Sequence, residues 1–263
     1  MHMHPSRTAL VTGGTKNDVD AMAVLVLNIK KTNPHLADEI VIFHDGITAK
    51  DQSAIQKIFP VRFIRYHCPV SRLRLLRNKT IRYFSPMVFC KFECFKLLSD
   101  YDTVIWTDYD ILIQGDISGI LTGTNSFAVI CNKETSLQKM FYSSIRKKNM
   151  DEYDLDGHSV TTPLFVLHKS IGDYITYYHW CYNTLSEYSK YLYLPEQCIF
   201  TMLVQKYNIA YDEIDMKRYC THPSQADDSV LILHAYGQPK FWNGLKHAEW
   251  EKYFQEWISF KKG

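Results

Sequence analysis

The chain has 263 residues, of which 46% are hydrophobic and 22% are charged, and its formal net charge is +2 at pH 7. This composition is typical of a globular protein, and the nearly balanced charge argues against a nucleic-acid-binding protein. The longest apolar run, residues 21–28, is too short to cross a bilayer. We expect one domain over residues 1–263, a length within the range of a single α/β domain.

The cysteines and the first residues bear on the cellular compartment. Seven cysteines are present, and none forms a C-x-x-C pair, which argues against a disulfide framework or a cysteine metal cluster. Residues 1–7 lack a charged segment followed by an apolar one, so they do not resemble a signal peptide. We therefore expect a cytoplasmic protein, either free or peripheral to a membrane.

The first part of the chain alternates between strands and helices. Strands are predicted at 8–12, 39–47 and 61–64, and helices at 18–31, with Asp18 as its N-cap, and at 49–59. This β-α-β-α-β order favours a parallel sheet. The first strand leads through Gly13 and Gly14 into a helix, an arrangement typical of nucleotide sites.

The same opening also resembles short-chain dehydrogenases. In that family further glycines let the helix pack against the pyrophosphate, whereas here those positions hold Asn17 and Val19. The family's Tyr-x-x-x-Lys pair occurs only as Tyr236 and Lys240, with Pro239 between them, so the pair cannot lie on one helix. An NAD(P)-dependent short-chain reductase is therefore the less favoured alternative.

A basic stretch follows the third strand. From Arg62 to Arg82 the chain carries seven basic residues and no acid. This stretch is either a solvated basic face or a contact for an anionic partner, such as phosphate, an acidic acceptor or a membrane surface. Residues 85–98 have apolar side chains at helical spacing, which predicts a helix.

The central feature is an apolar run over Val104–Trp106 with two acids close behind it, Asp108 and Asp110. The run predicts a strand that is buried on both faces. In extended backbone, side chains at i and i+2 point the same way, so both carboxylates can face one point beyond the strand end, where α/β sheets bind ligands. A divalent cation that carries a diphosphate fits such a pair. Solvated acids at a polar strand end are the alternative.

The remaining elements complete the predicted sheet. A strand over 160–167 is interrupted by Pro163, which predicts an edge or bulged strand. Helices are predicted at 171–191 and 195–207, and a last apolar strand at 230–233 ends at His234. Residues 244–263 are predicted to form an aromatic, basic amphipathic helix that either docks on a membrane or packs on the domain. Its single stripe of Trp250, Phe254 and Trp257 favours packing.

Together these residues resemble family-8 retaining glycosyltransferases, the family of glycogenin and bacterial lipopolysaccharide galactosyltransferases. Six features occur in the family's order: the first strand and helix, His44-Asp45-Gly46-Ile47, the Lys91 helix, Asp108-Tyr109-Asp110, Glu196-Gln197, and His234-x-x-Gly237-x-x-Lys240-x-Trp242. The last is the most specific, and the resemblance covers nearly the whole chain. It implies an α/β fold of the GT-A type: a Rossmann-like nucleotide-sugar-binding domain with a mixed, mainly parallel central sheet flanked by helices.

The resemblance also implies a reaction. A hexosyl unit, glucose or galactose, would move with retention from a UDP-sugar to a glycan or glycolipid acceptor. Asp108, Asp110 and His234 would hold Mn²⁺, and the nitrogen ligand makes Mn²⁺ more suitable than Mg²⁺. Gly237 would let the backbone approach the diphosphate, and Lys240 would neutralise charge on the leaving UDP.

Other positions are assigned to the donor in the same way. Thr12 and Asn17 would meet uracil and ribose, while Tyr109 would lie near the nucleoside or simply pack. Lys91 stands where the family often has an arginine that contacts donor phosphate and sugar. Lysine keeps that charge but lacks the guanidinium fork.

Glu196 and Gln197 would act at the donor sugar. Gln197 matches a family glutamine near the anomeric carbon, where it would stabilise an oxocarbenium-like transition state, and Glu196 would bind sugar hydroxyls. The family tends to have Asn-x-Gly where this chain has Thr161-Thr162-Pro163, so Thr162 would form a different sugar wall. A nucleotide-sugar-binding protein without turnover is therefore the second alternative.

Overall fold

The computed structural model describes residues 6–262, apart from the side chain of Lys147. The strands are β1 (Thr8–Gly14), β2 (Glu39–His44), β3 (Val61–Arg65), β4 (Thr103–Thr107), β5 (Ile111–Ile113), β6 (Phe127–Ser136), β7 (His158–His168), β8 (Asp212–Ile214) and β9 (Ile232–His234). The α-helices are α1 (Val19–Thr32), α2 (Ala49–Gln56), α3 (Arg72–Leu75), α4 (Lys79–Phe84), α5 (Glu93–Leu97), α6 (Tyr174–Tyr188), α7 (Pro195–Tyr207), α8 (Met216–Tyr219) and α9 (Ala248–Lys262). Residues 1–5 of the N-terminal stretch considered above lie outside the described residues.

Seven strands form one sheet in the order β3-β2-β1-β4-β7-β6-β8, and β5 and β9 form a separate antiparallel pair. Neighbours from β3 to β4 are parallel, as are β6 and β8, while β7 runs antiparallel to β4 and β6. The mixed, mainly parallel sheet expected from the sequence is confirmed. Since β1 and β4 are parallel, their carboxyl ends meet at the same edge of the sheet.

The sheet separates two hydrophobic cores, because successive side chains of a strand point to opposite faces. Val104 and Trp106 of β4 lie in the core that also holds residues of α5, α6 and α7. Ile105 lies in the other core, with residues of α1, α2 and α9. All three are at most 1% exposed, so the prediction of a strand buried on both faces is confirmed.

Strand β7 is bulged, as predicted, but it is not an edge strand. It lies between β4 and β6, and consecutive residues of β6 pair with Phe165 and Thr161 of β7, which leaves Pro163 inside the bulge. A proline has no N–H for the ladder, so the bulge is what allows it in the interior of the sheet. The Pro163 carbonyl accepts a hydrogen bond from the Asp108 N–H at 2.8 Å, which ties the bulge to the first acid.

The helix predicted over 85–98 is not one continuous α-helix. A 3-10 helix covers Pro86–Phe92 and α5 follows it. Ser85 has a φ of 69°, in the left-handed region, and this breaks the path between α4 and the 3-10 helix. The same 3-10 segment carries Lys91 into the interior.

Helix α9 packs on the domain through its aromatic stripe. Trp250, Tyr253 and Trp257 are buried, and Trp257 Nε1 donates to Asp20 of α1 at 2.7 Å. Lys261 also pairs with Asp20, at 2.9 Å. The packing interpretation is therefore confirmed, and the stripe is not available for membrane docking. Within residues 6–262, no helix has the length and apolar character required to cross a bilayer.

Candidate active site

A cleft of about 500 Å³ opens at the carboxyl ends of β1 and β4, a size suited to a small-molecule ligand. Its walls come from the loop after β1, the bend after β4, the 3-10 helix that carries Lys91, the first turn of α7 and the segment after β9. The structure therefore brings together five of the six sequence features, which are far apart in the chain. The cleft lies at the sheet edge where ligands are expected in α/β folds.

Asp108, Asp110 and His234 converge on one point of this cleft. Their nearest ligand atoms all lie within 4.8 Å of one another. His234 Nε2 is 3.3 Å from Asp110 Oδ1 and 4.0 Å from Asp108 Oδ2. The two acids lie in a bend rather than in extended backbone, and the pairing of β5 with β9 sets Ile111 opposite His234. This antiparallel pair is what delivers the histidine to the acids.

Charge and burial make this cluster suited to a cation. Asp110 and His234 are each 8% exposed. Burial favours a neutral Asp110, but His234 and Lys240 outweigh it and hold the pKa of this carboxyl well below its usual range. Burial likewise lowers the pKa of His234, yet the Asp110 carboxylate and a hydrogen bond to Cys220 raise it to about 10. The acids thus already attract positive charge from protein groups.

The residues present fit a divalent cation. Two carboxylate oxygens and one imidazole nitrogen form a mixed oxygen and nitrogen set of the kind that Mn²⁺ accepts, with room in the cleft for oxygens of a ligand. The Lys240 ammonium rests on Asp110 and also donates to the Ala235 carbonyl at 2.7 Å. A positive charge therefore already lies beside this pair of acids.

Lys91 is the buried centre of a second charge cluster. Only 4% exposed, it lies 2.9 Å from Asp108 Oδ1 and 3.3 Å from Glu196 Oε1. Its ammonium also donates to the Thr162 carbonyl at 3.0 Å. Burial opposes the charged form, but the two carboxylates outweigh it and raise the pKa of Lys91. Since Trp106 Nε1 donates to the same Asp108 oxygen at 2.9 Å, the other oxygen is left for His234.

Thr161 and Thr162 lie behind the cleft wall and contact the side chains that form it. Thr162 is fully buried, and its hydroxyl contacts Glu196 at 3.4 Å and Lys91 at 3.3 Å. The expected direct contact of Thr162 with substrate is therefore not supported, since the bulge turns this side chain inward. Thr161 donates to Gln197 Oε1 at 2.8 Å, and Gln197 lines the cleft at the start of α7.

The loop after β1 differs from the prediction. Thr12 is fully buried in β1 and Asn17 is exposed, and neither is part of the cleft wall that residues 6–262 form. Thr15 and Asp18 line the cleft instead. Thr15 caps a 3-10 turn at Lys16–Asp18, and the Asp18 carboxylate accepts the Thr15 N–H at 2.8 Å. Asp18 therefore occupies the N-cap position of α1, as predicted, but its side chain does not cap that helix. The T-x-x-D spacing of a capping box is the sequence signal that could have identified both residues.

Tyr109 and Gly237 line the cleft as expected, together with an aromatic rim. The Tyr109 ring lies on Trp242, with centroids 5.7 Å apart, and burial raises the pKa of its hydroxyl. Gly237 has a φ of 73° and open space where a Cβ would be, so its backbone faces the cleft. The rim exposes four aromatic side chains, of which Trp242 belongs to the motif found in the sequence, while the other three were not identified as site residues from the sequence: Tyr83, Phe84 and Tyr236.

Both the sequence and the fold are similar to those of known glycosyltransferases. The family model described as Glycosyl transferase family 8 matches residues 9–246. An active-site mutant of LgtC shares 12% sequence identity at a TM-score of 0.68, with 95% of each chain covered. The structure of the galactosyltransferase LgtC in complex with donor and acceptor sugar analogs shares 13% sequence identity at a TM-score of 0.66. The match covers 97% of this chain and 95% of that one.

A third similar structure is the glycosyltransferase GlyE from Streptococcus pneumoniae TIGR4. It shares 14% identity at a TM-score of 0.63, covering 98% of this chain and 63% of that one. At these identities the structures establish a shared fold, the GT-A type. No curated protein matches the sequence. The family match excludes the short-chain reductase alternative.

Proposed function

The chain belongs to glycosyl transferase family 8, and we propose that it transfers glucose or galactose from a UDP-sugar to a hydroxyl of a glycan or glycolipid, with retention and with Mn²⁺ as cofactor. One observation carries this proposal: Asp108, Asp110 and His234 meet in the cleft at the carboxyl ends of β1 and β4. When bound there, the cation would supply positive charge to the donor diphosphate.

The chain's own residues would hold the rest of the nucleotide. Lys240, beside Asp110, is placed to take up negative charge that develops on the leaving UDP. The Gly237 backbone can approach the diphosphate because it carries no side chain. Thr15 and Tyr109 line the part of the cleft nearest to β1, where the nucleoside would lie.

The sugar end of the donor would meet the start of α7. Lys91 holds the buried carboxylate of Glu196, and Thr161 holds the amide of Gln197, so both side chains are fixed before a ligand binds. A neutral amide is a weak nucleophile, so we assign Gln197 to stabilising positive charge at the anomeric carbon. Glu196 would accept hydrogen bonds from sugar hydroxyls.

A panel of UDP-sugars tests the proposal without knowledge of the acceptor. We expect slow release of UDP from one donor, because water replaces the absent acceptor, and we expect that release to require Mn²⁺. The measurement is UDP production for each donor with Mn²⁺, with Mg²⁺ and with a chelator. A panel without any release, together with no binding of UDP in the presence of Mn²⁺, would overturn the proposal.

We further propose that the basic stretch contacts an anionic membrane surface beside the cleft. Arg62 is paired with Asp100 at 3.0 Å, but Arg72, Arg77 and Arg82 are exposed, with no carboxylate oxygen within 4.0 Å among the described residues. Large apolar side chains are exposed within this stretch, at Leu73 (79%), and directly after it, at Tyr83 (65%) and Phe84 (48%). Basic residues beside exposed apolar ones favour a lipid interface over a purely solvated face.

Vesicle binding tests this contact. Each arginine near an anionic surface contributes about 1 kcal/mol, so we expect Arg77→Glu with Arg82→Glu to weaken binding to phosphatidylglycerol vesicles by about 30-fold or more. Lys50→Glu with Lys57→Glu, at exposed positions on and after α2, is the matched control and should bind nearly as the parent does. Equal binding to neutral vesicles, or equal loss in both double variants, would contradict a specific surface.

A further inference from the structure

The two ring nitrogens of His234 have different partners. Nε2 faces the carboxylates of Asp110 and Asp108, at 3.3 and 4.0 Å. Nδ1 lies 3.2 Å from the Sγ atom of Cys220, which is 5% exposed. The Tyr236 ring meets the imidazole edge to face, with centroids 5.6 Å apart. The Cys220 contact therefore holds the ring through the nitrogen that does not face the acids.

Backbone hydrogen bonds fix the position of Cys220 relative to His234. Helix α8 ends at Tyr219, and Cys220 is its C-cap, whose N–H donates to the Met216 carbonyl at 2.9 Å. The next residue, Thr221, pairs with Leu233 in a parallel bridge and accepts the His234 N–H at 2.9 Å. Since these bonds join the end of α8 directly to β9, the sulfur is held against the imidazole by secondary structure.

A neutral imidazole can present only one nitrogen to a cation, because the other nitrogen carries the proton. That N–H needs an acceptor in a buried site, and the acceptor selects the tautomer and orients the ring. In this chain the atom in place for it is the Cys220 sulfur. A thiol is a weak acceptor, but a neutral one, so it orients the ring without adding charge beside Asp108 and Asp110.

We propose that Cys220 is a positioning residue: its Sγ accepts the Nδ1–H of His234 and so keeps Nε2 directed at the cation site. This inference rests on the proposed function, because it assumes that His234 is a metal ligand. Cys220 is not itself a ligand, since its sulfur lies on the far nitrogen of the ring. Its contribution is to metal affinity rather than to the sugar.

The test compares substitutions that differ only in the acceptor. Cys220→Val keeps a buried apolar side chain of similar volume but removes the acceptor, and Cys220→Ser restores one. Loss of such a partner of a metal-binding histidine typically costs 10-fold to 100-fold in metal affinity. We therefore expect Cys220→Val to raise the Kd for Mn²⁺ by about 10-fold or more, and Cys220→Ser to stay within about 3-fold of the parent.

The measurement is electron paramagnetic resonance of free Mn²⁺ during titration of the full chain with UDP present, with thermal melting as the check on folding. Cys181→Ala, a buried cysteine in α6, is the matched control and should leave the Mn²⁺ affinity unchanged. Unchanged affinity in Cys220→Val, or an equal loss in the valine and serine variants, overturns the inference alone. A parent protein that binds no Mn²⁺ overturns the proposed metal site, and this inference with it.

Discussion

Asp110→Asn is expected to abolish Mn²⁺-dependent binding of UDP and to lower transfer activity by about 100-fold or more. Asp110 is the residue on which two basic side chains converge, with His234 Nε2 at 3.3 Å and the Lys240 ammonium in direct contact. The amide has almost the same shape but no charge, so the change removes an anionic ligand without a cavity. A bound cation provides several kcal/mol of charge stabilisation, which corresponds to a factor of this size.

The measurement is UDP affinity by calorimetry, with and without Mn²⁺, followed by the rate of UDP release. Asp116→Asn is the matched control: this acid lies in the turn after β5, and its carboxylate accepts the Ser118 N–H at 2.8 Å. The control should bind UDP and Mn²⁺ as the parent does. If Asp110→Asn bound UDP with parental affinity in the presence of Mn²⁺, the metal assignment would be wrong.

Lys91→Met is expected to destabilise the fold by about 3–5 kcal/mol and to eliminate activity in whatever remains folded. Lys91 lies between two carboxylates, Asp108 at 2.9 Å and Glu196 at 3.3 Å, and Glu196 is only 5% exposed. Methionine fills similar space but leaves these acids without their common partner. Breaking a buried pair in this way is costly because the remaining charge stays desolvated.

Chemical denaturation with and without the substitution gives the change in free energy of unfolding. Lys133→Met is the matched control, since its pair with Glu213 is exposed, and the control should unfold as the parent does. Lys91→Arg keeps the charge and should retain more stability than the methionine variant. A methionine variant as stable as the parent would show that the buried cluster does not hold the site together.

The two departures from the family pattern are in contact with each other. Lysine at 91 replaces a frequent family arginine, and Thr162 stands in the altered sugar-wall motif. The Lys91 ammonium donates to the Thr162 carbonyl at 3.0 Å and lies 3.3 Å from its hydroxyl. A longer, planar guanidinium would need different space at this point. We therefore interpret the lysine at 91 and the threonine at 162 as one coupled change in the residues that pack beneath Glu196.

Much of the fold follows from local patterns in the sequence. The apolar run of β4 predicted burial on both faces, because the side chains of a strand point alternately to two faces and helices cover both of them. Pro195 at the first turn of α7 and the aromatic stripe of α9 were also readable, since capping preferences and helical periodicity act over a few residues. The motif from His234 to Trp242 indicated the family for the same reason: its residues are close in the chain.

The tertiary structure decided what depends on contacts between distant residues. The place of β7 inside the sheet follows from pairing with β4 and β6, and no local property of Pro163 specifies it. The inward turn of Thr162 and the burial of Thr12 follow from the same pairing. His234 meets the acids because β9 pairs with β5, and Lys91 becomes a buried counterion because a 3-10 helix carries it under Asp108. Periodicity reports which residues prefer burial, whereas the partner of each buried charge is set by strand order and packing.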